Sequence, residues 1–147
     1  MASDIKTRKI VIISLHPKYV DAIFSGFKTV EFRKMNMPPD IEKMVLYKTS
    51  PFQEICGCID IQECVTDKPS KLWDKYGHAG CISFENFMRY YEKSLLGRCY
   101  IINKVYRFKR PVHRRDCLSF SRPPQSFTYL LKSEWEKWRT GMLLAYR

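Results

Sequence analysis

The sequence contains no apolar run that could span a bilayer. Its longest purely aliphatic stretch is IVII at 10–13, against the roughly 20 residues that a membrane helix requires. The opening MASDIKTRK has no extended hydrophobic core of the kind a secretory leader carries. A cytoplasmic protein with no membrane partner is therefore expected. Low-complexity linkers and internal repeats are missing as well, which excludes arrays of small modules and leaves one domain over residues 1–147. Paired CxxC units are also lacking. The six cysteines fall at irregular spacings and read as reduced thiols rather than a bridge framework. Cys56, Cys58 and Cys64 share one face of an alternating strand, and His78 and Cys81 form an HxxC pair, but this is too little for a convincing zinc site. No metal and no cofactor is expected.

What is present is enough for a core. The 147-residue chain is 45% hydrophobic and 14% aromatic, well away from the apolar-poor composition that leaves a chain unfolded. The net charge of +11 is unevenly spread. Residues 1–52 carry 9 basic and 5 acidic side chains, residues 53–96 carry 5 and 7, and residues 97–147 carry 12 and 3. Within KVYRFKRPVHRR (104–115), six of twelve residues are Lys or Arg and none is acidic. With Tyr106, Phe108 and His113 between the charges, the stretch can hold a polyanion and stack its bases. It can equally be a solvated edge strand whose charges deter strand pairing.

Periodicity gives a mixed order of strands and helices. RKIVIISL (8–15) is rich in β-branched residues and predicts a buried strand. In HPKYVDAIFSG, Pro17 opens a helix with Val20, Ile23 and Phe24 on one face, and Gly26 supplies a left-handed stop. His16 reads as a local cap. TVEFR (29–33) alternates, with Val30 and Phe32 on one face and Thr29, Glu31 and Arg33 on the other, a half-buried strand. After the NMPPD turn come the strands KMVLYKT and QEICGCIDIQECV, the latter with Ile55, Ile59, Ile61 and Val65 on one face. A helical insert follows, in which SFENFMRYYEKSLL carries Phe84, Phe87, Met88, Tyr91 and Leu95 at helical spacing behind a Ser83 cap. RCYIINKVYRFKRPV returns to strand. SEWEKW predicts a short helix with a capping box of Ser133 and Glu136. Trp73, Trp135 and Trp138 are expected to pack helices onto the strands. The fold class is α+β, a small mixed β-barrel with inserted and flanking helices.

The segment GFKTVEFR fits GxKxxExR at Gly26, Lys28, Glu31 and Arg33. At average residue usage four such positions coincide by chance on the order of once in a hundred thousand starts, and here they follow a capped helix and open a strand. The pattern resembles the signature of the ASCH domain family. ISLHPKYVDAIFSG resembles that family's first strand and helix, and PPQSFTYL (123–130) the closing segment of its microbial single-domain members. The resemblance implies a PUA-like barrel, a superfamily fold associated with RNA binding and with recognition of modified bases.

Two adjacent positions on one strand face lie about 6.6 Å apart, so Glu31 and Arg33 can pair. An exposed pair of that kind contributes only about 0–1 kcal/mol, a weak structural reason for the arrangement. Lys28, at the start of the strand, is placed to emerge at a barrel mouth and meet a phosphate or carbonyl. The candidate binding residues are Lys28, Thr29, Glu31 and Arg33 at the cleft, with Arg107, Lys109, Arg114 and Arg115 along the basic stretch. The first expectation is RNA or modified-nucleotide binding, with DNA the alternative polymer. The second is a metal-independent hydrolase acting on RNA or nucleosides, with Lys28 and Glu31 as catalytic groups and Ser126 the hydroxyl to watch, although a serine after Pro-Pro also suits a helix cap. One superfamily branch resembles acetylcytidine amidohydrolases that use a lysine-activated threonine. Here that threonine's position falls on Glu31, which argues against that route. The third is a transcription-complex adaptor. The recognised base and the oligomeric state stay open.

Overall fold

The protein is described by a computed structural model covering residues 5–146. The elements run β1 (Lys6–Leu15), α1 (Pro17–Phe24), β2 (Val30–Arg33), β3 (Lys43–Lys48), β4 (Glu54–Asp67), α2 (Pro69–Tyr76), α3 (Phe84–Tyr90), β5 (Gly97–His113), β6 (Phe127–Leu131), α4 (Lys132–Trp138) and β7 (Met142–Tyr146). Among the described residues no helix is long and apolar enough to cross a membrane.

All seven strands join one sheet in the order β2-β5-β4-β3-β1-β6, with β7 also paired to β5. Only β1 and β3 run parallel; the remaining pairs are antiparallel. The expected α+β class holds, but the expected barrel does not close. No ladder joins β2 at one end of the sheet to β6 at the other, and a seam is left between them. A second correction concerns the basic stretch. Its residues 104–113 lie on β5, which is flanked by β4 and β7 as far as Phe108 and is no edge there, while Arg114 and Arg115 follow the strand in a 3-10 turn.

Local chemistry explains the first turn of the chain. Pro17 opens α1, and the His16 side chain caps it by accepting from the Lys18 N–H at 3.2 Å. Gly26 then takes φ 83°, the left-handed conformation that costs glycine nothing and reverses the chain into β2. The aliphatic residues of β1 alternate between two cores. Val11, Ile13 and Leu15 pack with α1, while Ile10 and Ile12 pack with Trp135 and Trp138 beneath α4.

A third, smaller core gathers Val30 and Phe32 of β2 with Leu72, Phe87, Tyr91 and Cys99. Trp73 packs against it, so the three tryptophans serve packing, as their positions predict. Val30 and Phe32 do share an inward face, yet β2 is buried throughout and not half-buried. Helix α3 is shorter than its periodicity suggests. It ends at Tyr90, only Phe87 and Tyr91 of the expected face are buried, and Leu95 is 91% exposed.

Other expectations fail for identifiable reasons. Ladder irregularities interrupt β4 near Gly57, Ile61 and Glu63, and an extra residue in β4 exchanges the faces of the residues beyond it. Ile55 and Cys58 therefore lie in one core, Cys56 and Ile59 in another, and Val65 against the third. The Ser133–Glu136 box is not formed: Leu131 is the N-cap of α4 and offers no side-chain bond, with Ser133 already inside the first turn. Ser126 caps no helix either, since the segment after it is β6.

Candidate nucleic-acid interface at the sheet seam

The GxKxxExR residues meet at the seam. Lys28, Glu31 and Arg33 are 4%, 5% and 7% exposed, although all three are charged. The Glu31 carboxylate divides between two cations, with Oε1 at 3.2 Å from Lys28 Nζ and Oε2 at 3.2 Å from Arg33 Nη1. The exposed pair expected from the sequence is thus a buried triad with net positive charge. Taking charges out of water is costly even when they pair, and such groups are often no more stabilising than apolar ones of equal volume. Stability alone is a poor reason for the triad.

Each cation is also held by backbone. Lys28 Nζ donates to the Gly80 carbonyl at 2.7 Å and lies 5.3 Å from the Tyr19 ring centre. Gly80 can approach because it lacks a side chain; a Cβ there would stand 2.5 Å from the Phe32 ring. Arg33 Nη2 donates across the seam to the Ser126 carbonyl at 2.6 Å and lies 3.3 Å from the Ser126 hydroxyl. That hydroxyl also accepts from Asn36 at 3.2 Å. Arg33 Nε is buried and has no hydrogen-bond acceptor among the described residues.

The segment carrying Ser126 is itself anchored. Glu134 accepts from the Leu118 N–H at 2.8 Å and from the Ser119 hydroxyl, and Ser14 Oγ donates to the Pro124 carbonyl at 2.7 Å.

A cavity of about 430 Å3 occupies the seam, lined by Ser14, Leu15, His16 and Tyr19 from β1 and the start of α1, Lys28 from the turn before β2, Glu31, Phe32 and Arg33 from β2, and Ile82, Asn86, Arg89 and Tyr90 from the insert. Its ionic lining is three cations against one carboxylate, and Tyr19 and Tyr90 add aromatic surface. Burial raises the Tyr90 hydroxyl above its ordinary value, opposed by the nearby Arg33. Burial also pushes the Cys99 thiol behind β2 up to about 12.

Lys28, Glu31 and Arg33 therefore come together, with Ser126 beside them. Thr29 does not join. It is exposed and does not line the cavity, because its N–H and C=O bond Ala79 and Ile102 just before β2 begins. Arg107, Lys109, Arg114 and Arg115 lie apart from this cavity as well. Arg107 stacks 4.3 Å from the Phe24 ring centre, and Arg114 stands beside the Tyr47 hydroxyl. The α3 contribution of Asn86, Arg89 and Tyr90 escapes a reading of the sequence that follows only apolar spacing. Their i, i+3, i+4 pattern on the helix face beside Phe87 was the available signal. Among the described residues no His, Cys, Asp or Glu side chains gather as a metal-binding group.

A mixed sheet open along one seam, with a basic cavity in that seam and helices inserted around it, defines the PUA-like class of small domains. Within that class the chain belongs to the ASCH domain family, whose profile matches residues 13–140. It is 30% identical over 139 residues to the ASCH domain-containing ribonuclease of Zymomonas mobilis, covering 92% of this chain and 93% of that protein. The crystal structure of the Zymomonas mobilis ASCH protein superposes with a TM-score of 0.83 at 28% identity, over 93% of this chain and 98% of that one. A serine-to-alanine variant of the same protein superposes at 0.84, over 95% and 100%. A further similarity, 25% over 126 residues, is to the large ribosomal subunit protein uL22 of Ureaplasma parvum; it covers 85% of this chain and 40% of that protein.

Proposed function

We propose that the protein binds RNA by seating one nucleotide in the seam cavity. The observation that carries this reading is the buried Lys28–Glu31–Arg33 triad, with its excess positive charge and the acceptor-less Arg33 Nε beside a cavity of about 430 Å3. A phosphate or carbonyl oxygen from a nucleotide supplies the acceptor that Arg33 lacks, and a charge-assisted bond of that kind is among the stronger ones available. Tyr19 and Tyr90 offer faces for the base. Outside the cavity, Arg107, Lys109, Arg114 and Arg115 neutralise backbone phosphates without reading sequence.

A second reading is RNA cleavage in the same cavity. It is favoured by the Ser126 hydroxyl within reach of Arg33 and by the name of the Zymomonas mobilis relative. In this reading the ribose 2′-hydroxyl attacks the adjacent phosphorus, its proton passes through water to the departing 5′-oxygen, a 2′,3′-cyclic phosphate is left, and Lys28 and Arg33 stabilise the charge that gathers on the phosphoryl oxygens. Glu31 holds both cations in place, and Ser126 orients Arg33.

Gel shifts with short RNAs at two salt concentrations, read beside denaturing gels of the same mixtures, separate the two. Shifted, intact RNA supports binding alone, and shortened RNA that survives in an Arg33→Met control points to a contaminant. Neither shift nor cleavage at low salt overturns both readings.

A further inference from the structure

Strand β5 leaves its neighbours at one place. Between Gly57 and Ile55, β4 advances two positions while β5 advances five, from Arg107 to Val112, and the β7 ladder ends at Phe108 opposite Met142. The extra residues bulge away from the sheet, as an insertion into one strand of a ladder must. Beside the bulge lies a second cavity of about 300 Å3, lined by Phe108, Lys109, Arg110, Val112, Trp138 and Gly141. Its floor is aromatic, with the Phe108 and Trp138 rings 6.2 Å apart. At its rim Lys109 and Arg110 are exposed, and neither forms an ion pair among the described residues. No acidic residue lines it.

We infer that this second cavity is a further subsite for the same single RNA strand. Two adjacent phosphates lie against Lys109 and Arg110, and the base between them sits on the apolar wall of Phe108, Val112 and Trp138. The chemistry selects a strand of this type: paired cations without counter-charge call for an anion, and the apolar floor gives a flat ring something to cover. An acidic peptide satisfies the cations and leaves the floor bare. The inference rests on the RNA-binding reading of the seam cavity and adds a second point of attachment, so that affinity rises once one strand reaches both.

The test uses fluorescent oligouridylates from dinucleotides to about 12-mers, within the site sizes of single-strand binders. Two variants perturb the second cavity by different means. Gly141→Leu plugs it, and a Cβ at Gly141 meets no atom within 4 Å, so the fold has room for the change. Lys109→Ala with Arg110→Ala removes exposed charge only. Wild type is expected to gain affinity stepwise with length. Gly141→Leu is expected to bind dinucleotides as wild type does, and both variants are expected to lose about tenfold on the long strands. The double variant also lowers the salt slope by about 1.4, two single-strand phosphate contacts. A length gain that survives both variants overturns the second subsite and leaves the seam reading standing. Wild type that binds no oligonucleotide of any length overturns both. Polyglutamate displacing the long strands from wild type as well as an unlabelled RNA does shows a general polyanion patch and overturns the base-holding subsite.

Discussion

Replacing Glu31 by Gln keeps the shape of the side chain and removes the one negative charge that Lys28 and Arg33 share. Both cations keep their backbone acceptors, Gly80 and Ser126, so the change isolates charge from hydrogen bonding. Breaking a buried pair by neutralising one partner costs about 3–5 kcal/mol, and the open cavity beside the triad argues for the lower end. At about 3 kcal/mol a chain of this length melts roughly 6–12 °C lower. Lys28→Met should cost less, because it leaves Glu31 and Arg33 as a pair. The cavity adds a second signature: with Glu31 neutral, inorganic phosphate can take the place of the carboxylate, and saturating phosphate should raise the melting point of Glu31→Gln far more than that of wild type. Thermal melts at low ionic strength, with and without phosphate, read both effects. A Glu31→Gln protein that melts within a degree or two of wild type would show a triad as well solvated as a surface pair, and the argument from its burial would collapse.

Phe32→Ala removes a ring that packs edge-on to Phe87 at 4.8 Å and should destabilise by about 3–5 kcal/mol in denaturant titrations; an unchanged midpoint would mean that the facing of β2 is wrong. Changing Arg107, Lys109, Arg114 and Arg115 together to Ala should weaken binding to all RNA sequences alike and reduce the salt slope by up to about 2.8, since each phosphate contact on a single strand contributes about 0.7; an unchanged slope in fluorescence titrations makes the stretch a bystander. Burial holds the Cys56, Cys58 and Cys99 thiols up at about 12. At pH 8 they stay protonated and unreactive, the thiolate fraction growing only as pH climbs toward that value. Iodoacetamide followed by peptide mass spectrometry should therefore label the exposed Cys81 first, and early labelling of Cys58 would contradict its place in the core.

Some of this was readable in the chain. Pro17, His16 and Gly26 announce the ends of α1 through local chemistry, and the alternation of TVEFR assigns Val30 and Phe32 to a core and Glu31 and Arg33 to the opposite face. Those signals live within a few residues of one another. The burial of the triad does not, because it is imposed by α1 and by an insert more than fifty positions away, whose Gly80 carbonyl reaches Lys28. The separation of Cys56 from Cys58 depends on irregularities that exist only once β4 meets β5. The failure to close a barrel is a property of the whole sheet, and no single strand carries a mark of it. Thr29 was misplaced for a related reason: strict alternation was extended one residue too far, into backbone that answers to Ala79 and Ile102 before the ladder starts.

The contact across the seam has a consequence for motion. Arg33 ties β2 to Ser126, 93 positions along the chain, and the two ends of the sheet meet there through a guanidinium with no ladder between them. Widening the gap to admit a nucleotide would ask only side chains to let go, while the amides that pair β2 with β5 and β6 with β1 keep their ladder partners. Hydrogen exchange should accordingly find those amides equally slow with the gap narrow or wide. The seam holds like a clasp, fastened by side-chain bonds where the rest of the sheet is fastened by its backbone.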